Sequence, residues 1–306
     1  MVNTPLVSIV IPCFNNAATI TDAIISALSQ TYENTEVIVI DDGSNDKSLE
    51  KIKSFGNNIR WETGPNKGGG AARNRGIEIA HGEMIQFLDA DDLLRHNKLS
   101  IQVPLLQSGN VDIVYCDWKT ISFGNEYTTK LPFDVTKQDL FVFLLRYNIQ
   151  TSAPLHWRRN LLAVDGFRVE LPCCQERDLH LRLAIYGYSM KRVPKVLVDV
   201  RRQPQSVSSN YIRVLDQHSA IFENCLKILI VREGATAKRV LGLAKAFVID
   251  ARNYFGMGHT SEGLSYLNKS CYILAQHQSF SFVLLSKLGS LTVRILSVFV
   301  GKREQH

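Results

Sequence analysis

The chain has 306 residues, a formal charge of +6, and is 45% hydrophobic and 21% charged. That length can bury a core in one large domain with an appendage, and the balance excludes wholesale disorder. The modest charge suits an anionic ligand or membrane surface; with no RNP-like motif, zinc-finger spacing or basic run, nucleic acid is not an expected partner.

In chain order, LVSIVI (Leu6–Ile11) predicts a buried strand, and the three-to-four spacing of ATITDAIISALSQ (Ala18–Gln30) a helix. TEVIVID (Thr35–Asp41) predicts a second strand, and Asn45–Phe55 a helix capped by Ser44 or Asn45. IRWET reads as a third strand, GGAARNRGIEIAHG (Gly69–Gly82) as a helix ending at glycine, and EMIQFLD as a fourth strand. Continuous apolar strands alternating with helices predict a mostly parallel sheet covered on both faces. Beyond Gly109 the pattern turns irregular. VDIVYCDW suits a strand, LFVFLLRY an apolar helix or strand, and ERDLHLRLAIYGY (Glu176–Tyr188) a helix ending at Gly187. From about Ile212 the sequence reads as helical, with a hairpin around Gly256 and Gly258. Two units follow: an α/β domain over 1–212 and an all-α appendage over 213–306.

Cys13, Cys116, Cys173, Cys174, Cys225 and Cys271 form no CxxC pair or regular framework and are read as reduced cytosolic thiols. The start of the chain lacks the basic and apolar regions of a signal peptide. No stretch reaches about eighteen uncharged apolar residues, so no spanning helix is expected.

In parallel α/β sheets ligands bind at the carboxyl ends of the strands, and here those ends carry the unusual residues. They are PCFNN (Pro12–Asn16), DDGSND (Asp41–Asp46) and DADD (Asp89–Asp92), joined by the loop GPNKGGGAARNRG (Gly64–Gly76). Each has a bland reading. DDGS makes a turn and cap, although an Asp at a strand end also accepts from an imide N–H of a pyrimidine. KGGGAARNR lacks the Lys-Ser/Thr of a P-loop, yet a glycine-lined helix start flanked by Lys67, Arg73 and Arg75 suits a diphosphate. Phe14 is core or a base-stacking ring. Asp89, Asp91 and Asp92 form a solvated turn or flank a cation.

Taken together, VSIVIPCFNNAATITDAIISALSQTYENTEVIVIDDGSNDKS, NKGGGAARNRGIEIAHGEMIQFLDADD and CQERDLHLRLAIYGY resemble the family 2 glycosyltransferases of GT-A fold, over about residues 5–210. The resemblance implies a Rossmann-like GT-A domain with a nucleotide-sugar half (1–108) and an acceptor half (109–212). It implies inverting transfer of a sugar from a nucleotide diphosphate-sugar, taken as a UDP-sugar, assisted by Mn²⁺ or Mg²⁺. By position, Pro12 and Phe14 would line the nucleobase pocket, with Asp42 on the base, Asp41 nearby and Asn15 also among the nucleotide-sugar-binding residues. Lys67, Arg73 and Arg202 would serve the donor. Asp91 would hold the metal, and Asp89 the metal, ribose or sugar. The family's EDxD-like motif reads QERD here, so Glu176 takes the base position and Asp178 the last acidic one, while Gln175 replaces an acid. VRRQPQSVSSN (Val200–Asn210) resembles the loop that closes over the diphosphate, with Gln203 where relatives often carry histidine. His156 reads as a satisfied structural histidine.

The expected role is extension of a cell-surface or lipid-linked glycan at the inner face of the cytoplasmic membrane. The rivals are a nucleotide-sugar-binding protein without transferase activity and a nucleotidyltransferase. The latter needs a basic glycine-rich signature after strand one, where PCFNN stands. A hydride-transferring Rossmann enzyme is weaker still, because no GxGxxG follows strand one. In FVLLSKLGSLTVRILSVFV (Phe282–Val300), helical winding at about 3.6 residues per turn puts Ser286, Lys287, Ser290, Arg294 and Ser297 on one polar stripe. Such a helix suits the plane of an anionic bilayer, or packing on the helices before it.

Overall fold

The structure is a computed structural model and describes residues 4–122, 124–132, 139–202 and 211–276. Those residues fall into two compact units.

The first begins as the periodicity predicts. Strand β1 (Val7–Cys13) leads to helix α1 (Ile20–Leu28), β2 (Thr35–Asp41), α2 (Ser48–Lys53), β3 (Arg60–Thr63), α3 (Gly69–Ile79) and β4 (Met84–Phe87). Val7, Ile9, Val10 and Ile11 are fully buried, as a strand covered on both faces requires. Helix α3 presses on β1 so closely that a Cβ on Gly76 would lie 2.2 Å from Val10 Cγ1. Helix α2 starts at Ser48 rather than Asn45. Ser44 and Asn45 are instead bonded to Asn15, while Asp46 Oδ1 accepts from Ser48 N at 2.9 Å.

After β4 come β5 (Leu93–Leu94), α4 (Lys98–Gln107), β6 (Ile113–Ser122), β7 (Asn125–Thr129) and α5 (Leu140–Arg146). Then follow β8 (Pro154–Trp157), α6 (Arg158–Ala163), α7 (Gln175–Ile185) and β9 (Met190–Arg202). The described strands make one nine-stranded sheet ordered β3-β2-β1-β4-β8-β6-β9-β5, with β7 on β6. Strands β1 to β4 pair in parallel, β8 runs against both β4 and β6, and β9 returns parallel to β6. Thus β1, β2, β3, β4, β6 and β9 share one direction. With β2, β1 and β4 side by side, the loops leaving their carboxyl ends converge.

Below that edge lies a polar core. Lys98 is fully buried, and its Nζ donates to Gln86 Oε1 and Gln102 Oε1. Burial pushes its ammonium down to about 8. An unfolded chain keeps that proton to about pH 10.4, so between the two values the unfolded state binds more protons and native stability rises with pH. Measured against Lys98→Met by urea unfolding, the wild type is expected to gain about 2 kcal/mol between pH ~7 and ~9.5. A pH-independent difference would mean that the buried amine does not titrate.

The second unit gathers Phe141–Arg146 of α5 with α8 (Tyr211–Val231), α9 (Ala237–Gly256) and α10 (Thr260–Gln276). Phe222 packs edge-on to Phe247 at 5.4 Å, and Phe247 meets Tyr266 at 5.6 Å. Gly242 of α9 lets α5 approach: a Cβ there would touch Leu145 and Val142 at 3.2 and 3.3 Å. The helical hairpin predicted around Gly256 and Gly258 is α9–α10, with Gly258 at φ +83 in the turn. The amphipathic stretch 282–300 lies outside the described residues. Among the described residues no helix is long and apolar enough to cross a membrane.

Candidate active site

The acid loop leaves β4 at Leu88. Asp92 is 1% exposed; its carboxylate accepts from Ser152 Oγ at 2.9 Å and from Arg201 N at 3.2 Å. Asp89 pairs with the Arg73 guanidinium at 2.6 Å. Among the described residues, Asp91 is the member with no ion pair and no side-chain partner. Its backbone carbonyl accepts from Arg201 Nε at 2.5 Å. Burial and then the charge of Asp89 push its carboxyl up to about 6. Burial and the charges of Asp89 and Asp91 likewise raise Asp92.

The described residues contain no cage of three or more His, Cys, Asp or Glu. A hard cation shared with substrate phosphates needs less, since one or two carboxylates suffice. Asp91, half-buried beside two further acids, fits that arrangement, with Asp89 next to it and tied to Arg73.

On the neighbouring strands, Phe14 is 42% exposed and Pro12 half-buried. Asn15 takes a left-handed φ of 52, which its short polar side chain tolerates. Its amide N–H donates to Ser44 Oγ at 3.0 Å, and its Oδ1 accepts from Asn45 N at 2.7 Å, lacing the first loop to the second. Gly43 must be glycine: φ is +77, and a Cβ would sit 2.9 Å from Asn66 N and Gly64 O. Asp41 is buried and accepts from Thr63 Oγ1 at 2.6 Å. The Asp42 carboxylate accepts from Lys67 N and Gly68 N, each at 2.8 Å.

The glycine-lined start of α3 therefore differs from its expected form. Asp42 engages two amides just ahead of it. Gln175 backs the helix, 3.1 Å from where a Gly70 Cβ would stand. The Lys67 side chain is exposed, whereas Arg75 pairs with Glu62 and Glu78 on the surface. Arg73 turns inward, with NH1 donating to Gln175 Oε1 at 3.0 Å and NH2 to Asp89.

Helix α7 starts after Cys174, which has φ 59. Gln175 is buried and also donates to Leu171 O at 2.6 Å. Glu176 accepts from Asn148 Nδ2 at 2.7 Å. Asp178, two residues on, is fully buried, paired with Arg182 at 2.7 Å and Arg168 at 3.4 Å. Contrary to the expectation of a catalytic acid, this geometry anchors the helix and leaves its carboxylate no exposed surface. Arg202 ends β9 exposed; residues 203–210 of the expected closing loop lie outside the described residues. His156 differs from its expected form too: among the described residues both buried ring nitrogens have no hydrogen-bond partner, and the ring stacks on His180 at 5.8 Å. Burial, followed by the His180 and Lys98 charges, pushes it well down. Asn148 and Ser152 carry no sequence signal, because they sit in an irregular segment without periodicity or motif.

The sequence profile of "Glycosyl transferase family 2" matches residues 8–160. An uncharacterized glycosyltransferase of Rickettsia typhi is 31% identical over 258 residues, which cover 82% of this chain and 80% of that protein. The chain belongs to glycosyltransferase family 2. An Escherichia coli relative of this glycosyltransferase, the UDP-Glc:alpha-D-GlcNAc-diphosphoundecaprenol beta-1,3-glucosyltransferase WfgD, is 38% identical over 119 residues. That match covers 38% of this chain and 47% of WfgD. The mannosyltransferase PcManGT of Pyrobaculum calidifontis, solved with GDP-Man and Mn²⁺, superposes with a TM-score of 0.62. It covers 99% of this chain and 83% of its own at 17% identity, a likeness that speaks for the GT-A fold.

Proposed function

We propose that this glycosyltransferase moves a sugar from a nucleotide diphosphate-sugar, a UDP-sugar by preference, to a hydroxyl of a glycan or lipid-linked acceptor with inversion. The observation that carries the reading is Arg73, which reaches Asp89 at 2.6 Å and Gln175 at 3.0 Å. It brings the start of α7, with Glu176 next in line, to the acid loop. Glu176 takes the proton of the acceptor hydroxyl. The acceptor oxygen attacks the anomeric carbon as the bond to the diphosphate breaks, and the nucleoside diphosphate leaves with the electron pair. Asp91, with Asp89, would hold a divalent cation, Mn²⁺ or Mg²⁺. Such a cation would supply positive charge to the diphosphate and to the leaving group as its charge develops. Phe14 and Pro12 offer the base an exposed ring and a half-buried edge, Asp42 and Asn15 shape the pocket floor, and Lys67 and Arg202 face the phosphates. Gln175 keeps the acceptor oxygen that Arg73 requires, which weighs against a binder that has lost its chemistry.

The experiment is thermal stabilisation by UDP-glucose, UDP-N-acetylglucosamine, UDP-galactose and GDP-mannose, each with Mn²⁺ or a chelator. A ligand that binds only the folded state raises its stability with occupancy. One UDP-sugar is expected to raise Tm in Mn²⁺ only. A shift confined to GDP-mannose would overturn the UDP preference, and shifts indifferent to metal the cation's role.

The acceptor named for WfgD, a polyprenol-linked diphosphate sugar, supports work at the inner face of the cytoplasmic membrane, with the stripe of Lys287 and Arg294 as a peripheral contact. Flotation with anionic liposomes should separate the full chain from one ending near Ser279. Equal flotation of a folded truncation excludes that anchor.

A further inference from the structure

The segment between α5 and β8 touches both ends of the site. Ser152 is fully buried; its hydroxyl accepts from Asp89 N at 3.2 Å and donates to Asp92 at 2.9 Å. Its carbonyl accepts from Gln86 Nε2 at 2.9 Å. Ile149 is fully buried, and Ala153 N closes a turn on Gln150 O at 3.0 Å. This short run is therefore fixed to the acid loop at one end. At the other, exposed Asn148 donates to Glu176 Oε1 at 2.7 Å.

We propose that Asn148 is a positioning residue that holds the Glu176 carboxylate for the acceptor, and that residues 148–152 keep it in register with the acid loop. The inference rests on Glu176 being the base.

Glu176 is only half-buried, a glutamate has several rotatable side-chain torsions, and its carboxylate swings unless something fixes it. A charge-assisted hydrogen bond from a side chain on an anchored backbone fixes one oxygen and leaves the other to take a proton. The charged groups that face this turn are otherwise engaged. Arg73 of α3 holds Asp89 and Gln175, and Arg168, ahead of the helix, holds Glu170 and Asp178. On α7 itself stand Arg177 and Asp178. The Cys174 thiol beside them is raised by burial and then by the Glu176 charge. Among the described residues, Asn148 makes the only side-chain hydrogen bond to the Glu176 carboxylate. Because it is exposed, its loss need not disturb the core.

The test compares Asn148→Ala, Asn148→Asp and Glu176→Gln with wild type. Turnover is read as UDP released from UDP-glucose in Mn²⁺, with water as the acceptor, across a pH series. Asn148→Ala is expected to lower kcat about tenfold while donor KM stays within about twofold, the pattern of an interaction used in the transition state. Asn148→Asp places a like charge against the carboxylate and is expected to move the acidic limb of the kcat profile up by about one pH unit. A purely structural residue would lower Tm without moving that limb. If Glu176→Gln is inactive but both Asn148 variants keep the wild-type kcat and profile, the inference fails and the base stands. If Glu176→Gln retains full turnover, the base assignment fails and takes this inference with it.

Discussion

Asp91→Asn is expected to abolish sugar transfer and the metal-dependent part of nucleotide binding, while melting at or above the wild-type temperature. The two halves of that result share one cause. Three carboxylates crowd one turn, yet Asp89 is neutralised by Arg73 and Asp92 is satisfied by Ser152 and Arg201. Asp91 has no ion pair or side-chain partner among the described residues, and burial and the Asp89 charge outweigh the attraction of Arg201 and Arg73. Amide for carboxylate removes like-charge repulsion from the native state but also removes the hard oxygen charge that a cation needs. Function and stability therefore move in opposite directions, as at sites retained for chemistry. Circular dichroism melts and nucleotide titrations in Mn²⁺ measure both. Full transfer by the variant, or by wild type in excess chelator, would remove the metal from the mechanism.

Glu176→Gln is expected to keep donor affinity and to reduce turnover by about a hundredfold or more, the usual scale for loss of a general base. The amide preserves size and can still meet Asn148, so the change isolates proton acceptance. Asp178→Asn provides the contrast. Its carboxylate is buried between Arg182 and Arg168, and breaking a buried pair destabilises by about 3–5 kcal/mol. That variant should lose Tm first and activity only as a consequence. Should folded Asp178→Asn lose more turnover than Glu176→Gln with donor binding intact, the wrong carboxylate has been assigned.

Both expectations rest on residues that were legible in the sequence, and the reason is local. Strands β1, β2 and β4 are largely apolar runs separated by short helices, so their carboxyl ends, and the acids at or after the ends of β2 and β4, can be counted off by period alone. The second half hides its architecture. Strand β8 is only four residues long, α4 carries Pro104 inside it, and β9 slips register against β6 on both sides of Asp117. None of these obeys a clean period of 2 or 3.6. The contacts that tune the site were hidden for a different reason. Arg73 meets Gln175 across 102 positions and Ser152 meets Asp92 across 60, separations at which one sequence gives no pairing signal. The burial of the His156 ring nitrogens, which lack a hydrogen-bond partner among the described residues, comes from the packed sheet and leaves no mark on the residue's neighbours in sequence.

The passage of the chain through its second unit bears on how the protein is made. Phe141–Arg146 belongs with α8–α10, although the chain returns to the first unit at Tyr147. A ribosome therefore releases α5, with the apolar Phe141, Phe143, Leu144 and Leu145, well before α9 exists to receive it. At ordinary elongation rates that wait is on the order of ten seconds. During it the nascent chain presents a greasy helix directly upstream of Asn148, on the stretch that must settle beside the acid loop. The first unit can thus finish its sheet early, but the helix that leads into residues 148–152 finds its own packing only at the end of synthesis.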